Sequence, residues 1–62
     1  MFVAYFQDNL KHFVRESPPN PLRGVEFTSN LDDARTFDTE AEALAYVAAR
    51  GEPRPVSVLE LP

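Results

Sequence analysis

The sequence predicts an α+β fold: one small domain, residues 1–62, in which a single helix packs on one face of an antiparallel or mixed sheet of three to four strands, in the order β-β-β-α-β. Three observations carry this expectation. Residues 2–7 are dense in β-branched and aromatic side chains, the composition of strands, and Val56-Ser57-Val58-Leu59-Glu60-Leu61 reads as a last strand. Asp8-Asn9 is a turn signal joining the first of these runs to another, centred on His12-Phe13-Val14-Arg15. Thr39-x-x-Glu42 has the form of a capping box ahead of an alanine-rich stretch that Gly51 is placed to end.

Along the first strand Phe2, Ala4 and Phe6 point one way and Val3 and Tyr5 the other, so neither face is polar. A strand apolar on both sides is expected to be covered on both. One helix covers one face, which leaves the other to the proline-rich connection, a second copy of the chain or a partner. The second strand is expected over residues 10–16, with His12 pairing across to Tyr5 or Gln7. Ser17-Pro18-Pro19-Asn20-Pro21-Leu22-Arg23-Gly24 then reads as a rigid connection over one end of the sheet, since proline fixes φ and donates no backbone hydrogen bond. Its Pro18-x-x-Pro21-x-Arg23 spacing also fits a proline-rich ligand of aromatic-grooved domains, a reading that a loop inside a compact domain disfavours.

Val25-Glu26-Phe27-Thr28 alternates as a short strand with Val25 and Phe27 inward. Ser29-Asn30 caps one turn at residues 31–34, and Arg35-Thr36-Phe37 is an extended link. On a 3.6-residue period the helix presents Ala41, Leu44, Ala45 and Ala48 to the sheet, with Val47 at the edge of that stripe. Tyr46 then falls on the far side among Ala43, Ala49 and Arg50, as a candidate contact residue. In the last strand the apolar phase switches between Val58 and Leu59, which predicts a bulge or burial on both faces.

A chain of 62 residues buries only about 60% of the surface it exposes when unfolded. It has no cysteine, so neither a disulfide nor a thiolate metal site reinforces the core. The apolar opening Met1-Phe2-Val3-Ala4-Tyr5-Phe6 is too short for a signal-peptide core or a membrane span, and a soluble cytoplasmic protein is expected. Charge is unevenly placed. Residues 1–31 sum to zero, so the whole net charge of −4 lies in residues 32–62. That sign disfavours direct nucleic-acid binding, which rests on a basic footprint, and favours a basic partner.

Nothing in the chain points to an enzyme. One histidine and no cysteine supply too few ligands for a zinc-type site, and Asp32, Asp33, Asp38 and Glu40 lack the spacing and turn glycine of a calcium loop. Ser17, Ser29 and Ser57 have no glycine-framed elbow. Gly24 and Gly51 make no phosphate loop. No cofactor or metal is expected. Helix-start preference explains much of the acid run Asp32, Asp33, Asp38, Glu40 and Glu42, because negative charge at the first turn gains about 0.3–1 kcal/mol per group. It does not require five acids within eleven residues with only Arg35 in compensation. The surplus predicts an acidic ridge able to steer a basic partner.

The run Phe27-Thr28-x-x-Leu31-Asp32-Asp33-Ala34-Arg35-Thr36-Phe37-Asp38-Thr39-x-x-Glu42-Ala43, followed by a helix and a Val56-x-Val58 strand, resembles a pattern of very small phage and prophage proteins. The resemblance covers residues 25–61. It implies the fold, with Ala34 and Phe37 as core plugs, and no active site. Some comparable proteins inhibit a host machine, such as RNA polymerase or a CRISPR effector complex, with an acidic surface standing in for nucleic acid. The expectation is a non-enzymatic protein-binding module in the bacterial host cytoplasm, an anti-CRISPR-like DNA mimic in its sharpest form. Asp32, Asp33, Asp38, Glu40 and Glu42 would supply its charge, and Tyr46 or the uncovered hairpin face its apolar anchor. The alternative is a small structural or assembly homodimer.

Overall fold

The computed structural model describes residues 1–18 and 24–62. The elements follow as β1 (Phe2–Phe6), β2 (Asn9–Val14), β3 (Phe27–Thr28), a 3-10 turn (Leu31–Asp33), α1 (Glu40–Ala49) and β4 (Val56–Glu60). The strands form one antiparallel sheet in the order β3-β2-β1-β4. This is the expected α+β architecture, with the first and last strands side by side. The rigid proline connection and its proline-ligand alternative fall largely on residues 19–23, outside the described residues.

β1 and β4 pair without interruption from Phe2↔Glu60 to Phe6↔Val56, so the bulge expected at Val58-Leu59 is absent. The phase switch has a simpler cause. Val58, paired with Ala4, lies on the helix side and is half-buried, whereas Leu59, paired with Val3, lies on the opposite face and is exposed. The irregularity sits elsewhere: Tyr5 faces Phe13, but Phe6 faces Asn9, which leaves residues 10–12 as an excess on β2. Asn9 steadies that excess, its Oδ1 accepting from the Lys11 amide at 3.0 Å. The displacement carries His12 away from Tyr5 and Gln7. Its ring stacks instead on Phe27, with centroids 4.4 Å apart.

The core gathers Ala4, Phe6, Val14, Val25 and Val47, with Tyr46 and Val56 packed against it. The expected helix stripe is therefore rotated. Ala41, Leu44, Ala45 and Ala48 are exposed; Ala43 and Val47 are buried, with Tyr46 and Arg50 half-buried beside them. Alanines stand on every side of this helix, so period alone picks no face. The large side chains decide, and Tyr46 turns inward because its hydroxyl finds partners there. Val25 is buried as expected, but Phe27 is 45% exposed, its inner edge meeting Phe6 at 6.0 Å.

The helix stops where the sequence predicts, and of the capping box the threonine half forms, with no return bond to the Glu42 side chain among the described residues. Thr39 Oγ1 accepts from the Glu42 amide at 3.1 Å, and Gly51 takes φ of 66° where a side chain would be strained. Upstream, Arg35 N donates to Val14 O, and Phe37 exchanges both backbone hydrogen bonds with Phe2. The link thereby closes the open end of the hairpin, and Phe37, 4% exposed, plugs it.

Two polar clasps fasten the segments on either side of the proline connection to the end of α1. In the first, Ser17 is 3% exposed. Its amide donates to Tyr46 Oη at 2.6 Å, its carbonyl accepts from Tyr46 Oη and Arg50 Nε, and its Oγ accepts from Glu26 N. In the second, the buried Glu52 carboxylate accepts from Val25 N, Arg54 N, Arg54 Nε and Arg54 Nη2, all at 3.0–3.1 Å. The Arg54 side-chain hydrogen bonds hold the Glu52 carboxyl down from 4.5 to about 2, against burial, with the amides of Arg54 and Val25 adding to the pull.

A depressed carboxylate stabilises the fold above its ordinary pKa and loses that contribution as pH falls through its folded value. The Glu52 contribution should thus be complete above pH 4.5 and vanish toward pH 2. Glu52→Gln should cost about 1–3 kcal/mol at neutral pH by weakening the bonds on Val25 and Arg54. Urea unfolding at stepped pH checks this: the deficit of the variant should shrink over that acid window. A deficit that stays constant with pH would assign the effect to packing.

Candidate functional site

Asp32 and Asp33 lie exposed in the 3-10 turn, Asp38 exposed before α1, and Glu40 and Glu42 exposed in its first turn. Asn30 caps the 3-10 turn, its Oδ1 accepting from Asp32 N at 3.0 Å, so neither aspartate is needed as a cap. The pairing of Arg35 with Val14 and of Phe37 with Phe2 brings both acid groups to the open end of the hairpin. Glu60, across from Phe2 at the end of β4, is exposed at the same end. The acid run thus presents all five of its carboxylates to solvent.

Arg35 does not neutralise it. Its guanidinium pairs with Glu16 and lies over the rings of Tyr46 and Phe37, at 4.7 and 5.1 Å from their centroids. Among the described residues no ion pair engages Asp32, Asp33, Asp38, Glu40 or Glu42. Five exposed carboxylates at one end of a small domain set up a field that water and salt screen only over roughly 8 Å under physiological conditions.

Tyr46 stands apart from the ridge residues. It is half-buried on the sheet side of α1, bonded to Ser17, with its ring edge-on to Phe37 at 5.3 Å and the Arg50 guanidinium 3.7 Å from its centroid. Its expected place on the outer helix face is corrected: that face carries Ala41, Leu44, Ala45 and Ala48.

Two of the exposed large apolar side chains, Leu10 and Leu59, meet on the sheet side away from α1. Tyr5, Leu10, Phe13 and Leu59 line a hollow of about 190 Å³ there, with Leu10 67% and Leu59 45% exposed. The alternation along β1 pointed to this face through Val3 and Tyr5. The contributions of Leu10 and Leu59 were hidden, because the first depends on the β2 excess and the second on the register with β1. Comparison with protein-family models, curated proteins and solved structures finds no match. Among the described residues no three histidine or acidic side chains converge as a metal site, and no helix is long and apolar enough to cross a membrane. The hollow is open, apolar and free of titratable groups apart from the Tyr5 phenol.

Proposed function

We propose that this chain is a non-enzymatic protein-binding module that occludes a basic, nucleic-acid-binding surface of a host protein, in the manner of a phage-type inhibitor. Anti-CRISPR-like DNA mimicry is its most specific form. The observation that supports it is the uncompensated acid end: five exposed carboxylates, with the only cation of that run turned toward Glu16 and Tyr46. The apolar anchor in this reading is the Tyr5-Leu10-Phe13-Leu59 hollow and not Tyr46, whose polar atom is already spent on Ser17.

Capture from a bacterial lysate with identification by mass spectrometry supplies the partner. The test is then the combined Asp32→Lys, Asp33→Lys and Glu40→Lys variant. All three sites are exposed, so the fold should persist by circular dichroism, while the association rate should fall by about 10–1,000-fold. Wild-type affinity should drop steeply as salt rises. Binding that survives both changes would show the ridge to be a solvated surface only. The assembly-homodimer alternative differs here, since an apolar dimer seam hardly responds to ionic strength.

A further inference from the structure

The outer edge of β4 points to a second copy of this chain. β4 is an edge strand, and among the described residues nothing pairs with its outer side. Leu61 N donates to Met1 O, and Gln7 N donates to Pro55 O. With the unbroken register between them, odd-numbered residues of β4 direct their backbone groups to β1, and Val56, Val58 and Glu60 direct theirs outward. The Val56 carbonyl also receives Gln7 Nε2 at a long 3.4 Å, which leaves a lone pair for another donor.

Natural edge strands are blunted by bulges, lysines or prolines that remove an outward donor. Here the ladder is regular, the strand has no lysine, and Pro55 directs its missing donor inward. Outward donors are absent or engaged at two flanking positions only. Pro62 has no N–H, and the Arg54 N–H is held by Glu52 Oε2.

We infer that β4 pairs antiparallel with β4 of a second copy across a two-fold axis centred on Val58, joining the two sheets into one. This register sets Val58 opposite Val58 and Val56 opposite Glu60 on both sides, each pair exchanging two backbone hydrogen bonds. It also sets Pro62 opposite Arg54, so the two positions without a free donor face each other and no bond is forfeited. A shift in either direction sacrifices one full pair. The charges fit as well. Glu60, exposed and in no ion pair among the described residues, comes diagonally beside Arg54 of the other copy, about 7–8 Å away between backbones, where the guanidinium stays bonded to its own Glu52 through Nε and Nη2 and offers Nη1. Ser57 comes directly opposite Leu59 on the other sheet face, which extends the apolar hollow across the junction.

This pairing does not rest on the acidic-surface reading, and salt separates the two, because a backbone ladder should respond little where ridge binding weakens. Amide exchange followed by NMR at rising protein concentration is the direct test. The amides of Val56, Val58 and Glu60 should gain protection with concentration, while those of Ser57, Leu59 and Leu61 stay protected throughout. Mixing a Ser57→Cys chain with a Leu59→Cys chain in oxidised glutathione should give an inter-chain disulfide faster than either chain alone, the native sequence having no cysteine. Glu60→Lys, at an exposed site, should weaken the dimer severalfold without unfolding it. Monomeric sedimentation at millimolar concentration, or a dimer whose Val56, Val58 and Glu60 amides remain unprotected, would overturn the inference.

Discussion

Phe6→Ala should remove the larger part of the molecule's folding stability. Phe6 is 1% exposed and the largest side chain buried to that degree. It belongs to one buried cluster with Ala4 of its own strand, Val14 of β2, Val25 of the segment before β3 and Val47 of the helix. Its ring also receives the edge of Phe27 and carries the Arg54 guanidinium at 4.0 Å. Truncating such a residue removes its transfer free energy and leaves a cavity, about 3–5 kcal/mol together. Natural domains have about 0.05–0.15 kcal/mol of stability per residue, so 62 residues hold a reserve of similar size. Thermal unfolding should show the midpoint lowered by about 15–30 °C, or no cooperative transition at all. Phe6→Leu, which keeps most of the volume, should cost far less. An alanine variant melting with the wild type would mean that the core lies somewhere other than beneath Phe6.

What the sequence made legible was local. The Thr39 cap and the Gly51 stop each depend on residues within a few positions of one another, and both occur where their chemistry places them, while the β1–β2 turn falls one residue early, at Gln7-Asp8, with Asn9 already paired to Phe6 in β2. The order of strands and helix followed, since each run of β-branched or alanine-rich residues has one favoured use. The exposure of the acid run is a local property too, its members being neighbours in the chain. The helix face was not. Alanine contributes almost nothing to a hydrophobic stripe, so the choice fell to Leu44 against Tyr46 and Val47. Only the folded chain brings Ser17 to the tyrosine, from 29 positions away. The Glu52 clasp was hidden likewise, as its partner Val25 is 27 residues distant and offers a backbone amide that no side-chain pattern announces. The three-residue excess in β2 reflects a pairing choice between two strands, and it moved His12 and exposed Leu10.

Tyr46 is where these long-range contacts carry the largest consequence. Tyr46→Phe keeps the ring, its edge contact with Phe37 and both guanidinium contacts, but removes the hydroxyl that accepts from Ser17 N and donates to Ser17 O. The amide left behind belongs to a residue only 3% exposed, and an unsatisfied buried donor costs about 1–3 kcal/mol. Tyr46→Ala removes the ring as well. It should cost about 3–5 kcal/mol, by the scale of aromatic truncation in cores. Part of that is the attraction of Arg50 and Arg35 for the ring face, about 0.5–2 kcal/mol for each well-placed cation. The two variants, compared by urea unfolding, separate the hydroxyl from the ring. They also separate a structural tyrosine from a contact tyrosine. At a temperature where both variants remain folded, partner affinity should be unchanged by Tyr46→Phe, and Leu59→Ser in the hollow should weaken it instead. A tyrosine whose removal left stability intact but abolished binding would have to face outward, and the Ser17 clasp could not then exist as described.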